Sequence, residues 1–246
     1  MTWSRVLLLT LIVGLAGAAQ PSRGWRTNDV NPAYSGDFVF TRIRYGDVGG
    51  WGRGRGGAWS HDYPRADRHL SRLLDELTAM SVELDGTNVF DLDDPRLFRF
   101  PIAYISEPGF WGMSDAQAER LREYVLKGGF LILDDFEGNQ LDNALAQLAR
   151  VLPECRPIPI DISHPIFHSF FEMETIDFPH PLVPVMPNYL ALFEDNDPNG
   201  RMMAIINHNA DIAEYWEWSD SGWLPVDLTN EAYKLGINYI VYAALH

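Results

Sequence analysis

The segment FLILDD, residues 130–135, decides the fold of this chain. Four consecutive apolar residues are typical of a strand that is buried on both faces of a parallel sheet, and two aspartates follow them directly. A helix precedes the segment, because Ser114 and Gln117 have capping-box spacing and Gly128-Gly129 supplies a helix end. A second helical pattern follows at 138–151. A buried strand between two helices predicts an α/β sheet.

The same alternation extends toward the N-terminus. Strand patterns cover 37–45, 88–92 and 100–108, and leucines at helical spacing cover 66–80. Parallel neighbours need crossover connections, so this order predicts a mostly parallel central sheet with helices on both faces.

The second half of the chain is less regular. Residues 153–190 hold many of the 16 prolines, which predicts loops with short strands at most, at PIPID and TIDF. The segment RMMAIINHN, 201–209, returns to a buried-strand pattern, and Asn230 is predicted to cap a final helix. Without an internal repeat or a dividing linker, we predict one α/β domain over residues 37–246.

The N-terminus has the layout of a secretory signal peptide. In MTWSRVLLLTLIVGLAGAAQ, one arginine precedes an apolar run and a small-residue triplet, so we predict a signal peptide at 1–18 and a disordered leader at 19–36. An uncleaved anchor is the alternative. Further along, no apolar run approaches the roughly 20 residues of a spanning helix. We therefore expect an exported protein, periplasmic or secreted, whose mature chain does not insert into a membrane.

Charge and cysteine content exclude several classes of function. The chain has 34 acidic and 19 basic side chains, a formal net charge of -15, which disfavours nucleic acid and anionic lipid as partners. The single cysteine, Cys155, cannot form an intramolecular disulfide, so the hydrophobic core must stabilise the fold by itself.

Four blocks of sequence carry a resemblance to a known family. They are DYPRADRHL at 62–70, DDPRLFRFPIAYISEPGFWGMSDAQAERLREYVLKGGFLILDDF at 93–136, HPIFHSFFEM at 164–173 and LGINYIVYAAL at 235–245. Together these blocks resemble the bacterial family of unknown function DUF4159. The resemblance implies an exported or membrane-associated domain with a three-layer flavodoxin-like fold, related to the class I glutamine-amidotransferase-like group. It implies no established activity.

The chain departs from that wider group at its nucleophile. The group places a catalytic cysteine at a sharp strand-to-helix turn, whereas Cys155 lies in VLPECRP, between prolines and after a helix. Amidotransfer and cysteine-based proteolysis are therefore not expected.

Candidate binding residues follow the predicted strands. Ligands of open parallel sheets bind outside the carboxyl ends of the strands, and the polar residues there that we predict to bind a ligand are Arg42, Arg44, Glu107, Asp134, Asp135 and His208. Side chains alternate along a strand, so one of the two adjacent aspartates should face the crevice while the other caps the next helix. The alternative is that both have only capping and helix-dipole roles.

A glycine-rich segment, GGWGRGRGGAWSHDYPRAD at 49–67, lies between the first strand and the first helix. Its glycines are not flanked by the residues that a phosphate-binding loop motif requires, and the segment is longer than usual strand-to-helix loops. We predict a mobile flap over a small polar ligand, in which Trp51 offers stacking surface and Arg53 and Arg55 offer positive charge. The alternative is a disordered surface loop.

Two further patterns leave alternatives open. His164 and His168 have the spacing of a helical zinc pair, but Pro165 disfavours a helix there, and a mixed histidine and carboxylate site could instead come from distant loops. The segment YWEWSDSGWLPVD, 215–227, suits either carbohydrate stacking or core filling, and core filling is the favoured interpretation.

The sequence thus favours an exported binding module without a nucleophile, whose ligand is a small polar molecule or a peptide. One alternative is a carboxylate- or metal-dependent hydrolase, with the metal held by Asp135 and a histidine. Another is a protein-interaction component of an envelope complex. No pattern identifies a cofactor.

Overall fold

The structure is a computed structural model, and it describes residues 31–47 and 57–246. The predicted signal peptide, most of the predicted leader and the first part of the predicted flap, 49–56, which includes Trp51, Arg53 and Arg55, lie outside these described residues.

The described residues form a seven-stranded central sheet in the order β3-β1-β4-β6-β9-β8-β7. Strands β1, β3, β4, β6 and β9 are parallel, β8 runs antiparallel to β9, and β7 runs antiparallel to β8. A separate two-stranded ribbon joins β2 to β5. The strands are β1 (Thr41–Arg44), β2 (Gly46–Asp47), β3 (Asn88–Asp91), β4 (Ile102–Ser106), β5 (Trp111–Gly112), β6 (Phe130–Phe136), β7 (Ile158–Pro159), β8 (Asn188–Phe193) and β9 (Met202–His208).

The five parallel strands have the flavodoxin-like order. Taken in chain order, they are arranged second, first, third, fourth, fifth, and the order reverses between β1 and β4. This reversal opens a crevice at the carboxyl ends of the strands, where ligands of such sheets bind.

Helices cover both faces of the sheet, so the predicted three-layer α/β fold is confirmed. One core lies under α1, α4 and α5, and a second core lies under α2 and α3. The helices are α1 (Arg65–Leu77), α2 (Asp115–Leu126), α3 (Gln140–Val151), α4 (Ile212–Glu217) and α5 (Val226–Leu245). Among the described residues, none of these helices combines the length and the apolar character that crossing a bilayer requires.

The structure differs from the sequence predictions mainly in the second half. TIDF, 175–178, is not a strand, whereas β8 forms at the end of the proline-rich stretch. The final helix begins at Val226, directly after Pro225, and not at Asn230. Helix α4 was not predicted, because six residues are too few for a helical period to emerge from the sequence.

Candidate functional site

The end of β6 is distorted where the two aspartates follow the apolar run. The pairing of β6 with β9 shifts register between Leu133 and Phe136, and Asp135 has a left-handed backbone with φ 68°. A bulge of this kind re-aims side chains at a strand end. Asp134 and Asp135 consequently serve two different purposes.

Asp134 attaches helix α4 to the sheet. Its Oδ2 accepts hydrogen bonds from the backbone amides of Ile212 at 3.0 Å and Ala213 at 3.3 Å, and from Tyr104 Oη at 2.8 Å. Its Oδ1 accepts from Asn207 Nδ2 at 3.0 Å. The prediction that one aspartate serves a helix N-terminus therefore describes Asp134, but the helix is α4 and not the next helix in the chain, α3.

The anchored helix α4 brings two further carboxylates to the crevice. Asp211 is 1% exposed, and its Oδ1 accepts a hydrogen bond from the backbone amide of Glu214 at 2.9 Å, as an N-cap residue does. Its Oδ2 receives no hydrogen bond from any described residue. The Glu214 side chain is also buried.

The segment before α1 supplies the only imidazole of this site within the described residues. His61 Nδ1 lies 2.8 Å from Asp135 Oδ2 and 3.3 Å from Asp62 Oδ1, and its side chain is 45% exposed. The shorter approach is the hydrogen bond. Both oxygens of Asp62 are buried and receive no hydrogen bond from the described part of the chain.

The residues at the end of β4 complete the site. Ser106 Oγ donates to Asp135 Oδ2 at 3.0 Å, and Glu107 follows with a left-handed backbone, φ 50°. Asp62 and Asp135 share this unusual conformation, with φ 61° and 68°. Left-handed residues other than glycine cost conformational energy and are concentrated at functional sites.

Six side chains from four segments converge in this way, and we refer to them as the acidic cluster. They are His61, Asp62, Glu107, Asp135, Asp211 and Glu214. One group of three buried residues, Asp62, Asp135 and Asp211, has ligand atoms that all lie within 4.8 Å of one another. His61 belongs to two further groups within the same 4.8 Å limit, one with Asp62 and Glu214 and one with Glu107 and Asp135.

The cluster holds more negative charge than the described residues neutralise. Two ionised carboxylates about 4 Å apart repel by about 4 kcal/mol at the effective dielectric constant of a protein site. Burial raises the pKa of Asp135 and of Asp211 well above the ordinary value, and it raises the pKa of Glu214 to about 8. The hydrogen bond to Asp135 raises the pKa of His61 to about 12. Among the described residues, the cluster therefore retains protons, or it takes up positive charge that these residues do not supply.

The two predicted arginines do not enter the cluster. Arg42 is fully buried and pairs with Asp67, and its Nη1 donates to the carbonyl oxygens of Trp59 at 3.0 Å and His61 at 2.8 Å. It thus supports the backbone that presents His61. Arg44 pairs with Asp91 at the half-exposed edge of the sheet, with Nε 2.7 Å from Oδ1.

Two other residues that the sequence singled out also lie apart from the cluster. His208 Nε2 is 3.0 Å from the carbonyl oxygen of Gly138, so it contacts the loop after β6. Cys155 is partly buried, with Sγ 3.7 Å from the carbonyl oxygen of Phe193, at the opposite edge of the sheet. Burial raises the pKa of the Cys155 thiol, which suits an inert core cysteine.

The histidine pair of the proline-rich segment serves structural roles in the structure. His164 Nδ1 accepts a hydrogen bond from the backbone amide of Ile166, so His164 caps a short turn and not the α-helix that Pro165 disfavours. His168 contacts Glu172 and the carbonyl oxygen of Ile162. The histidine and carboxylate set that does converge comes instead from distant loops.

Comparison with known families agrees with the resemblance seen in the sequence. The family model described as Domain of unknown function (DUF4159) matches residues 39–244, nearly the whole domain. The chain therefore belongs to this family. No curated protein matches the chain.

Proposed function

Because membership of the DUF4159 family assigns no activity, we propose from the geometry that this domain binds a divalent metal ion in the acidic cluster. One observation carries the proposal. Asp62, Asp135 and Asp211 are buried together, and neither oxygen of Asp62 nor Oδ2 of Asp211 receives a hydrogen bond from the described residues. Buried carboxylates are normally hydrogen-bonded, paired or bound to a metal.

The spacing of the donor atoms fits a coordination shell. Ligand atoms about 2.1 Å from an octahedral ion lie about 3 Å from their neighbours. His61 Nδ1 is already 2.8 Å from Asp135 Oδ2 and 3.3 Å from Asp62 Oδ1. Binding of the ion requires loss of the proton that His61 and Asp135 share.

The donor chemistry selects the class of ion. Carboxylate oxygens suit Mg²⁺, Ca²⁺ and Mn²⁺, and one imidazole among them favours Mn²⁺ over the other two.

Export, which the N-terminal sequence predicts, would mean that the metal ion binds this site outside the cytoplasm. Cell fractionation tests export and N-terminal sequencing tests signal cleavage: a chain that still begins at Met1 would contradict cleavage after Ala18.

We expect Mn²⁺ to bind the full chain with one strong site in isothermal titration. Asp211→Asn should weaken this binding about 100-fold, because it removes a ligand charge at the centre of the cluster. Asparagine caps helices as well as aspartate does, so α4 should be retained. Asp142→Asn, at an exposed position of α3, is the matched control and should bind like wild type. Equal affinity in wild type and Asp211→Asn would refute the site.

Hydrolysis is a second candidate function, and the exposure of His61 favours it. The ring is 45% exposed although its Nδ1 is held by a buried aspartate, so the cluster is open to a substrate on this side. A metal ion lowers the pKa of bound water toward 7 and so supplies a nucleophile at neutral pH. Glu214 is then placed to exchange protons with a substrate.

We expect the Mn²⁺-loaded protein to hydrolyse activated esters or phosphodiesters faster than Asp211→Asn does. Release of p-nitrophenol from p-nitrophenyl acetate and bis(p-nitrophenyl) phosphate measures this. Indistinguishable rates for the two proteins, with Mn²⁺ bound to the wild type, would leave a binding module in which the metal ion is the small polar ligand.

A further inference from the structure

The end of α4 and the segment that follows it divide three tryptophans between the core and the surface. Trp216 is 1% exposed and its Nε1 donates to the carbonyl oxygen of Ala232, so it fills the core as favoured from the sequence. Trp223 is 54% exposed. The rings of Trp218 and Trp223 meet edge to face, with centroids 5.5 Å apart. Trp218 is partly buried, whereas the exposure of Trp223 beside it is not explained by core packing.

A guanidinium and a carboxylate group flank Trp218 and Trp223. The Arg65 guanidinium lies over the Trp218 ring, 4.8 Å from its centroid, and is paired with Asp220. Asp220 is also 3.8 Å from His69 Nε2. We refer to Arg65, Trp218, Asp220 and Trp223 as the aromatic ledge. It combines apolar ring surface with hydrogen-bond donors and acceptors at its border.

Both chain segments of the ledge come directly from the acidic cluster. Arg65 opens α1 three residues after Asp62. Trp218 follows Glu214 by one helical turn, and its backbone amide donates to the Glu214 carbonyl oxygen at 3.2 Å. Residues four apart lie on the same side of a helix. A chain bound on the ledge therefore leads toward the cluster.

We propose that the aromatic ledge binds a neutral oligosaccharide and directs it toward the acidic cluster. Sugar rings present flat C–H faces that stack on tryptophan, and their hydroxyl groups bond to arginine and carboxylate side chains. The strong negative charge of the chain opposes anionic polymers. The role of the ledge as a substrate subsite depends on the proposed function, whereas saccharide binding itself does not.

Saccharide binding can be measured directly by tryptophan fluorescence on the full chain. We expect cellohexaose to change the emission, and we expect Trp223→Ala to weaken binding about tenfold, the effect of one lost stacking contact and its buried area. Trp223 is more than half exposed, so this variant should fold. Phe170→Ala removes an aromatic ring that is 43% exposed elsewhere and is the matched control.

Parallel titrations separate this proposal from the metal site. Cellohexaose should still bind Asp211→Asn, even where Mn²⁺ does not. A wild type that binds Mn²⁺ but not cellohexaose would overturn the ledge and leave the metal site intact. Unchanged cellohexaose affinity in Trp223→Ala would also overturn the proposed saccharide site on the ledge. Binding of a tryptophan-rich peptide in place of the saccharide would overturn it as well. Loss of cellohexaose binding in Asp211→Asn would place the sugar on the cluster and not on the ledge.

Discussion

Arg42→Met should destabilise the protein by about 3–5 kcal/mol, the usual consequence of removing one partner of a buried ion pair. Arg42 and Asp67 are both fully buried, and Arg42 Nη2 lies 2.6 Å from Asp67 Oδ1. Methionine fills similar space without the charge, so Asp67 is left buried and unpaired. The two carbonyl oxygens of Trp59 and His61 also lose their donor.

The same strand provides the control. Arg44 pairs with Asp91 through both carboxylate oxygens, but the side chains are 49% and 45% exposed. Exposed ion pairs contribute little to stability, so Arg44→Met should cost less than about 1 kcal/mol. Urea unfolding of both variants measures the difference.

A second substitution isolates the cause of the loss. Asp67→Asn in the Arg42→Met background should recover part of the lost stability, because it removes the stranded charge. Equal stabilities of Arg42→Met and Arg44→Met would contradict a buried structural pair.

The same variant should also bind Mn²⁺ more weakly. In folded Arg42→Met, the backbone of His61 loses the hydrogen bond that supports it.

The sheet was predictable because its signals are local. Buried parallel strands such as 130–135 are continuous apolar runs, and the intervening helices repeat at 3.6 residues. Strand β8 was not predicted, because the prolines just before it obscured its pattern. The order of the strands is not local, and only the resemblance to a family implied it.

The site was only partly predictable, for a related reason. Glu107 and Asp135 were found because strand ends mark the binding edge of a sheet. Asp62 and Asp211 precede helices that pack at that edge. No residue close to them in the sequence indicates the direction of their side chains. One signal was present: Asp211 and Glu214 have N-cap and third-position spacing, which marks the start of α4. Some of these carboxylates receive a hydrogen bond and others do not. The difference depends on contacts between residues that are 70 or more positions apart in the chain, such as His61 and Asp135.

The metal-free protein should lose stability as the pH rises from about 5 to 8. Burial raises the pKa of Asp134 from 3.8 to about 7 and that of Glu214 from 4.5 to about 8. The folded state therefore binds more protons than the unfolded state between these values. Stability from such groups is fully present below the unfolded pKa and is lost as the pH rises through the folded pKa, by up to about 1.4 kcal/mol per pH unit for each group.

Further members of the acidic cluster act in the same direction as Asp134 and Glu214. The pKa of Asp135 and of Asp211 is raised by burial, and the shared proton of His61 and Asp135 is also held more tightly in the folded state. Surface carboxylates with lowered pKa values, such as Asp91 beside Arg44, have the opposite sign. Their stabilisation is lost only as the pH falls below about 4. Burial lowers the pKa of His180 to about 4, and stability from this group rises with pH up to about 6.5, so a stability maximum between about pH 5 and 6 follows.

Mn²⁺ should reverse this trend, because it replaces the protons that are lost. At pH 8 the ion should stabilise the protein by about 2.7 kcal/mol when present at 100 times its dissociation constant. At pH 5 protons compete for the same ligands, so the stabilisation should be small. Urea unfolding at pH 5 and pH 8, with EDTA or with Mn²⁺, measures both effects. Asp211→Asn should show a shallower fall with pH and a stabilisation by the same Mn²⁺ concentration of only about 0.4 kcal/mol, whereas Asp142→Asn should follow the wild type. A metal-free protein that is as stable at pH 8 as at pH 5 would show that the cluster does not retain protons, and the electrostatic case for a bound cation would fail with it.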